Sequence, residues 1–508
     1  MIKRSLIPDA LVVPLLFAVL KFVLHALAIT RYGWFRDELY YIACSRHLAW
    51  GYVDQPPLSI ALLALSRVVL GESLIALRAL PALAGAATVI TTGLIVRAIG
   101  GGRFAQAIAC LCVVVAPVYL LVDHYFSMNV FDELFWALSV LLLIRALEHP
   151  RLSSWLALGV CLGLGLLNKT SLLWFAGALG VGLLLTPARR QLRTPAPWLA
   201  LALTALIFAP HVVWQIHHGW PTLEFMRNAT GSKMVRTSFG EFWIQQILVM
   251  SPITFPVWLI GFGWLIASRR WRILGIIYAG VAALLVAGGS SRPNYLTVAY
   301  PPLLAAGAVA IESFTARRAA AAWRFAVAAV LLMGSAPVVP LGLPFLPVDT
   351  LISYQKALGF RPKAQERTRE SDLAQPLADM FGWEDLTRRV ARVYQRLSPA
   401  ERESCAIYGS NYGEAAAIDF FGPRYGLPPA ISGHNNYWLW GTHGATGAVM
   451  ILIGGSRDDP HRDFSSVELA DTTDCPHCMP YENGAPIFLC RGLNQPLARR
   501  WPEVRSYH

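Results

Sequence analysis

The sequence predicts an α-helical polytopic membrane protein of about eleven transmembrane helices, followed by a C-terminal extracytoplasmic α/β domain. Three observations predict it: apolar runs of spanning length up to residue 341, basic residues in every second gap between them, and strand-like apolar runs after a sharp fall in hydropathy.

The 508 residues are 55% hydrophobic and only 15% charged, too apolar for a soluble chain of this size. The expected spans lie near 8–30, 76–98, 104–122, 129–147, 153–167, 171–186, 197–216, 243–267, 273–289, 296–312 and 322–341. Each is read against a hydrocarbon core of about 30 Å.

Lys3 and Arg4, Arg97 and Arg103, Arg145 and Arg151, Arg189 with Arg190 and Arg193, Arg269 with Arg270 and Arg272, and Arg317 with Arg318 fill alternate gaps. Lys and Arg are retained in cytoplasmic loops, so the N-terminus is expected inside the cell's inner (plasma) membrane and the C-terminus outside it. The formal charge of +12 is thereby spent on topology, and a nucleic-acid partner is excluded. The first span has a short basic start and no small-residue cleavage site, so it reads as an uncleaved anchor.

Three regions follow: a membrane domain over 1–341, a connector over 342–380 that opens Pro-rich, and an outer domain over 381–508. Within the last, 381–397 carries apolar residues at helical spacing. Cys405-Ala-Ile-Tyr, Ala448-Val-Met-Ile-Leu-Ile and Pro486-Ile-Phe-Leu-Cys read as buried strands, with Glu414 to Phe421 as a helix. Cys110, Cys112 and Cys161 are core residues of spans, whereas Cys405, Cys475, Cys478 and Cys490 fit one or two disulfides in an oxidising compartment. Cys475-Pro-His-Cys478 alone is a weak redox or metal motif.

Ionisable residues are costly near a bilayer and gather here on the outer side. The first outer loop, 31–57, holds Asp37, Glu38, Tyr40 and Asp54; the next holds Asp123, His124, Asp132 and Glu133; others hold Lys169, then Arg292 and Tyr295. Carboxylates from two loops beside cations and aromatics from two more fit an anionic, ring-bearing substrate. One carboxylate takes a proton from an acceptor hydroxyl while cations stabilise a departing phosphate. Asp37 is the expected base, with Glu38 orienting the acceptor or binding a cation.

Blander readings stay open. Asp37 and Glu38 fit the solvation of a loop or the cap of a short interfacial helix, Asp132 and Glu133 a helix dipole, Asp54 a turn before Pro56-Pro57, and Lys169 a snorkelling interface residue. Arg292 and Tyr295 fit interface anchors, and His124 an interfacial hydrogen bond. Histidine and carboxylate spacing matches no metal signature, so no metal ligand is expected.

Phe35-Arg-Asp-Glu-Leu-Tyr-Tyr41 paired with Ser127-Met-Asn-Val-Phe-Asp132 resembles the GT-C superfamily, in particular the branch of the protein O-mannosyltransferases and the lipid A aminoarabinose transferase. The resemblance implies a GT-C-like membrane glycosyltransferase. Its donor is a polyprenyl-phosphate-linked sugar, and its acceptor a lipid, protein or polysaccharide. It implies that Asp37 is the catalytic Asp with Glu38 as its companion, and the family's acidic-x-Pro-Pro segment matches Asp54-Gln55-Pro56-Pro57; Asp132 is expected to join the catalytic carboxylates, and Asp54, Tyr40, Asp123 and His124 are expected to contact substrate. Gln55 stands where relatives often carry a Lys, leaving the phosphate to Lys169 and Arg292, with Tyr295 by the family's pattern; Arg227, in the long loop over 217–241, joins them as a lid residue. Some members need a divalent cation and others do not, so the resemblance leaves that cofactor open. The alternative is a polyprenyl-lipid or glycan transporter, which calls for midplane charges and inverted repeats. A glycan-binding scaffold needs only one span.

Overall fold

In the computed structural model, residues 9–289, 292–316, 321–363, 366–367, 369–455 and 459–508 are described. Lys3, Arg4, Arg317 and Arg318 lie outside the described residues.

Every expected span is helical. Among the described residues, four helices are long and apolar enough to cross a membrane: Asp9–Ala28, Leu74–Ala98, Pro195–His217 and Ala322–Gly342. Others are shorter or broken. Leu172–Leu185 bends by 105° into Pro187–Arg193, and Phe239–Val249 bends by 96° into Pro252–Ala267. The second bend corrects the single span expected over 243–267. Ser251 has φ 74° and Pro252 follows it without an N–H, so an α-helix cannot continue through them. Pro117 likewise divides the span over 104–122 into Arg103–Val115 and Pro117–Val122.

Small residues let helices meet closely. A Cβ on Gly261 would collide with the Leu303 carbonyl and one on Gly307 with the Val257 carbonyl, so helices Phe255–Ala267 and Pro301–Ala316 touch backbone to backbone.

The outer loop over 31–57 is itself partly helical, as Arg36–Arg46. The apolar helix Leu58–Leu70, too short to span, follows it with Leu65, Val68 and Val69 exposed. The connector is packed rather than loose: its Leu351, Leu373, Leu377 and Met380 bury against Phe35 and Tyr125 of the outer loops.

The outer domain is a five-stranded sheet of β1 (Cys405–Gly409), β2 (Ala430–Ile431), β3 (Val449–Ile453), β4 (Phe464–Thr472) and β5 (Pro486–Leu493), in the order β2-β1-β3-β5-β4. β1 runs parallel to β2 and β3, while β5 pairs antiparallel with β3 and β4. Helix Trp383–Gln395 realises the expected amphipathic segment, and helix Tyr412–Phe421 lies against Arg36–Arg46 of the membrane domain.

All eight cysteines are free, which corrects the expected disulfides. Cys405 on β1 and Cys490 on β5 are separated by β3, beyond the Cα reach of about 7 Å that a bridge requires. Cys478 instead turns its thiol to the Cys475 carbonyl at 2.8 Å.

Candidate functional site

Asp37 and Glu38 begin helix Arg36–Arg46, and a helical step of about 100° sends their side chains apart. Glu38 points inward and is fully buried. Its Oε2 accepts from the Phe35 N–H at 2.9 Å, capping the helix, and its Oε1 accepts from the Phe126 N–H at 3.0 Å. Arg78, inside the span Leu74–Ala98, donates through Nε and Nη2 to the two oxygens at 3.0 Å each. The same guanidinium binds the carbonyls of Ile29 and Arg31 at 3.2 Å and Gly33 at 2.7 Å. Arg78 therefore staples the start of the outer loop onto the bundle.

Asp37 points outward, its side chain 32% exposed. The Tyr412 hydroxyl donates to its Oδ1 at 2.8 Å, and Arg36 Nε lies 3.7 Å from the same oxygen. Its Oδ2 has no hydrogen-bond partner among the described residues. Arg36 crosses to the connector and the outer domain, donating to the Tyr481 hydroxyl at 2.5 Å and approaching Asp379 Oδ2 at 3.5 Å. Asp37 is also within electrostatic reach of Arg292.

Asp132, one turn into helix Met128–Glu148, accepts from Ser171 Oγ at 2.6 Å and pairs with Lys169 Nζ at 3.2 Å. Lys169 further donates to Asn129 Oδ1 at 2.8 Å and lies 5.2 Å from the Tyr295 ring centre. Arg292 pairs with Glu366 of the connector and lies within electrostatic range of Tyr295 and Asp37. Asp132, Lys169 and Tyr295 are thus in contact across three segments, with Arg292 and Asp37 within electrostatic range of one another.

Residues 54–214 match the sequence profile of the family described as dolichyl-phosphate-mannose-protein mannosyltransferase. No curated protein matches the chain by sequence. Among solved structures it resembles ArnT from Cupriavidus metallidurans in the apo state at TM-score 0.62 and 14% identity, over 93% of this chain and 97% of that one. The undecaprenyl-phosphate-bound ArnT from the same organism matches at TM-score 0.62 and 13% identity, with the same coverage. The Archaeoglobus fulgidus oligosaccharyltransferase, tethered to an acceptor peptide, matches at TM-score 0.55 and 14% identity, over 83% of this chain and 64% of that one.

The chain shares its fold with ArnT.

Several residues of the chain sit differently from what its sequence leads one to expect. Glu38 has both oxygens committed, which leaves it a structural task in place of acid–base chemistry or acceptor contact. Tyr40 is buried, donating to Asp54 Oδ1 at 3.0 Å and accepting from Asn436 Nδ2 at 2.5 Å, so it and Asp54 tie the first loop to the outer domain. Asp123 is buried against Lys21 Nζ at 2.8 Å, and His124 stacks on His25 beneath Arg78. Tyr40, Asp123 and His124 are buried, each held by protein partners. Arg227 lines a cavity of about 340 Å3 with Asn228, Ser232 and Arg505, which neither Lys169 nor Arg292 lines. Another cavity, of about 500 Å3, lies beside Arg145, His149 and Arg151.

Sequence reasoning passed over Arg78, Lys21, Arg36, Tyr412 and Asp379. Arg78 and Lys21 carried a usable signal, since a single cation within an apolar span must find a buried partner. Tyr412 and Asp379 carried none, because their meeting with Asp37 and Arg36 depends on how the outer domain docks. Among the described residues no group of three or more His, Cys, Asp or Glu is arranged to hold a metal ion.

Proposed function

We propose that this chain is a GT-C glycosyltransferase that moves a monosaccharide from a polyprenyl-phosphate carrier to an acceptor hydroxyl or phosphate on the extracytoplasmic face of the inner membrane, with Asp37 as the base. The observation that carries the reading is the partly exposed Asp37 carboxylate with an open Oδ2, beside Arg36 and within electrostatic range of Arg292. The acceptor oxygen loses its proton to Asp37 as it attacks the sugar's anomeric carbon, and the bond from that carbon to the carrier phosphate breaks. Lys169 and Arg292, with the Tyr295 hydroxyl, meet the negative charge that grows on the leaving phosphate.

Asp132 holds Lys169 in place, and Glu38 with Arg78 fixes the helix that carries Asp37. The undecaprenyl phosphate bound to ArnT, a protein of the same fold, supports a polyprenyl-phosphate carrier. The alternating loop charges support the outward orientation.

Mass spectrometry of envelope lipids and glycans tests the proposal. Cells carrying the wild-type chain should contain a glycosyl modification that is missing both without the chain and with Asp37→Asn. An envelope identical in all three would overturn it.

A further inference from the structure

Tyr412 lies 375 residues beyond Asp37 and belongs to the outer domain, yet its hydroxyl makes the 2.8 Å contact to Asp37 Oδ1. Its backbone is fixed on both sides. Asn411 caps helix Tyr412–Phe421 by accepting from the N–H groups of Gly413 at 2.8 Å and Glu414 at 3.0 Å. The Tyr412 N–H donates to His434 Nδ1 at 3.3 Å. Its ring packs 4.6 Å from that of Tyr40, with the Arg36 guanidinium 5.2 Å above it. Next to it, a Cβ on Gly413 would come within 2.5 Å of Arg36 Cγ, so a glycine permits this close approach.

Resting on the assignment of Asp37 as base, we infer that Tyr412 is its positioning residue, so that the outer domain completes the catalytic centre as well as standing above it. A carboxylate free to rotate offers either oxygen in many directions. The hydroxyl holds Oδ1 and leaves Oδ2 as the oxygen that faces the acceptor. Burial raises the Tyr412 hydroxyl well above its ordinary pKa, with the Asp37 carboxylate adding to the rise, so it remains a donor at physiological pH. A hydrogen bond to a charged acceptor contributes more than a neutral one, and preorganisation of this kind is expressed in the chemical step rather than in carrier binding.

The test uses the full-length chain in cells that lack it. It follows the initial rate at which the chain-dependent envelope modification appears, together with undecaprenyl phosphate binding and thermal unfolding of the purified protein. Tyr412→Phe keeps the ring packing and should lower the rate about tenfold, with carrier affinity and unfolding temperature unchanged. Genetic incorporation of 3-fluorotyrosine at position 412, which restores a hydroxyl donor, should restore the rate. A Tyr412→Phe chain working at the wild-type rate would overturn the inference, and so would a loss of rate that travels with lost folding or lost carrier binding. Asp37→Asn in the same assay separates the two readings: if it is inactive while Tyr412→Phe is normal, only the role of Tyr412 fails, and if it is active, the assignment of the base fails.

Discussion

The Arg78 guanidinium grips both carboxylate oxygens of Glu38 at 3.0 Å inside the bundle, and both side chains are fully buried. A pair this deep contributes little net stability over an apolar substitute, but breaking one half strands a charge. Its consequence for function is geometric, because the same guanidinium binds the carbonyls of Ile29, Arg31 and Gly33.

Arg78→Gln should therefore destabilise the protein by about 3–5 kcal/mol and lower transfer by loosening the loop that bears Asp37. Thermal unfolding in detergent checks the first effect. An Arg78→Gln protein as stable as wild type would mean that Glu38 finds other partners.

Lys21 and Asp123 form a second such pair, at 2.8 Å, between the first span and the third. Lys21→Met alone should cost about 3–5 kcal/mol, and adding Asp123→Asn should recover much of it, since a neutral pair leaves no stranded charge. The unfolding temperatures of wild type, single and double variants measure this recovery; equal losses in both variants would contradict it.

Gly33 lies against the Met380 carbonyl, where an added Cβ would collide with the backbone. Gly33→Ala should push the first outer loop from the connector, reducing transfer more than carrier binding, at a stability cost of about 1–3 kcal/mol. Parallel assays of envelope modification and undecaprenyl phosphate binding distinguish the two effects.

The outer domain should lose stability as the pH rises. Burial raises the Glu482 carboxyl from an ordinary 4.5 to about 7, against the opposing pull of Arg36, and Glu414 close by is raised by burial and by Glu482. A carboxyl whose folded pKa is raised binds more protons folded than unfolded, so its stabilisation is complete below about 4.5 and fades as pH climbs through about 7. The unfolding temperature should fall between pH 5 and pH 8, and Glu482→Gln, which keeps an acceptor for Asn411, should flatten that fall.

The helical membrane domain was legible because long apolar runs and alternating loop charges are local features of the chain. Asp37, Lys169, Arg292 and Tyr295, the residues of the proposed site, stand out in the sequence for a related reason, as polar residues crowded at the ends of those runs. The helix cap at Glu38 was among the sequence's readings, but its burial was not, because that depends on Arg78, some 40 residues on, which looks like an isolated blemish in an apolar span. Strand β4 was missed because it is the polar edge of the sheet, with Ser465, Ser466 and Glu468 exposed, and alternates too weakly to register. The disulfide expectation counted cysteines without knowing that β3 stands between β1 and β5.

The most direct test of the whole account is the Asp37→Asn variant, purified and assayed side by side with wild type for undecaprenyl phosphate binding and, in cells, for the chain-dependent envelope modification. Asn keeps the side chain's shape and the contact from Tyr412 but cannot take up the acceptor's proton. The account predicts wild-type carrier binding with the modification abolished; a variant that still produces the modification at the wild-type rate would contradict it.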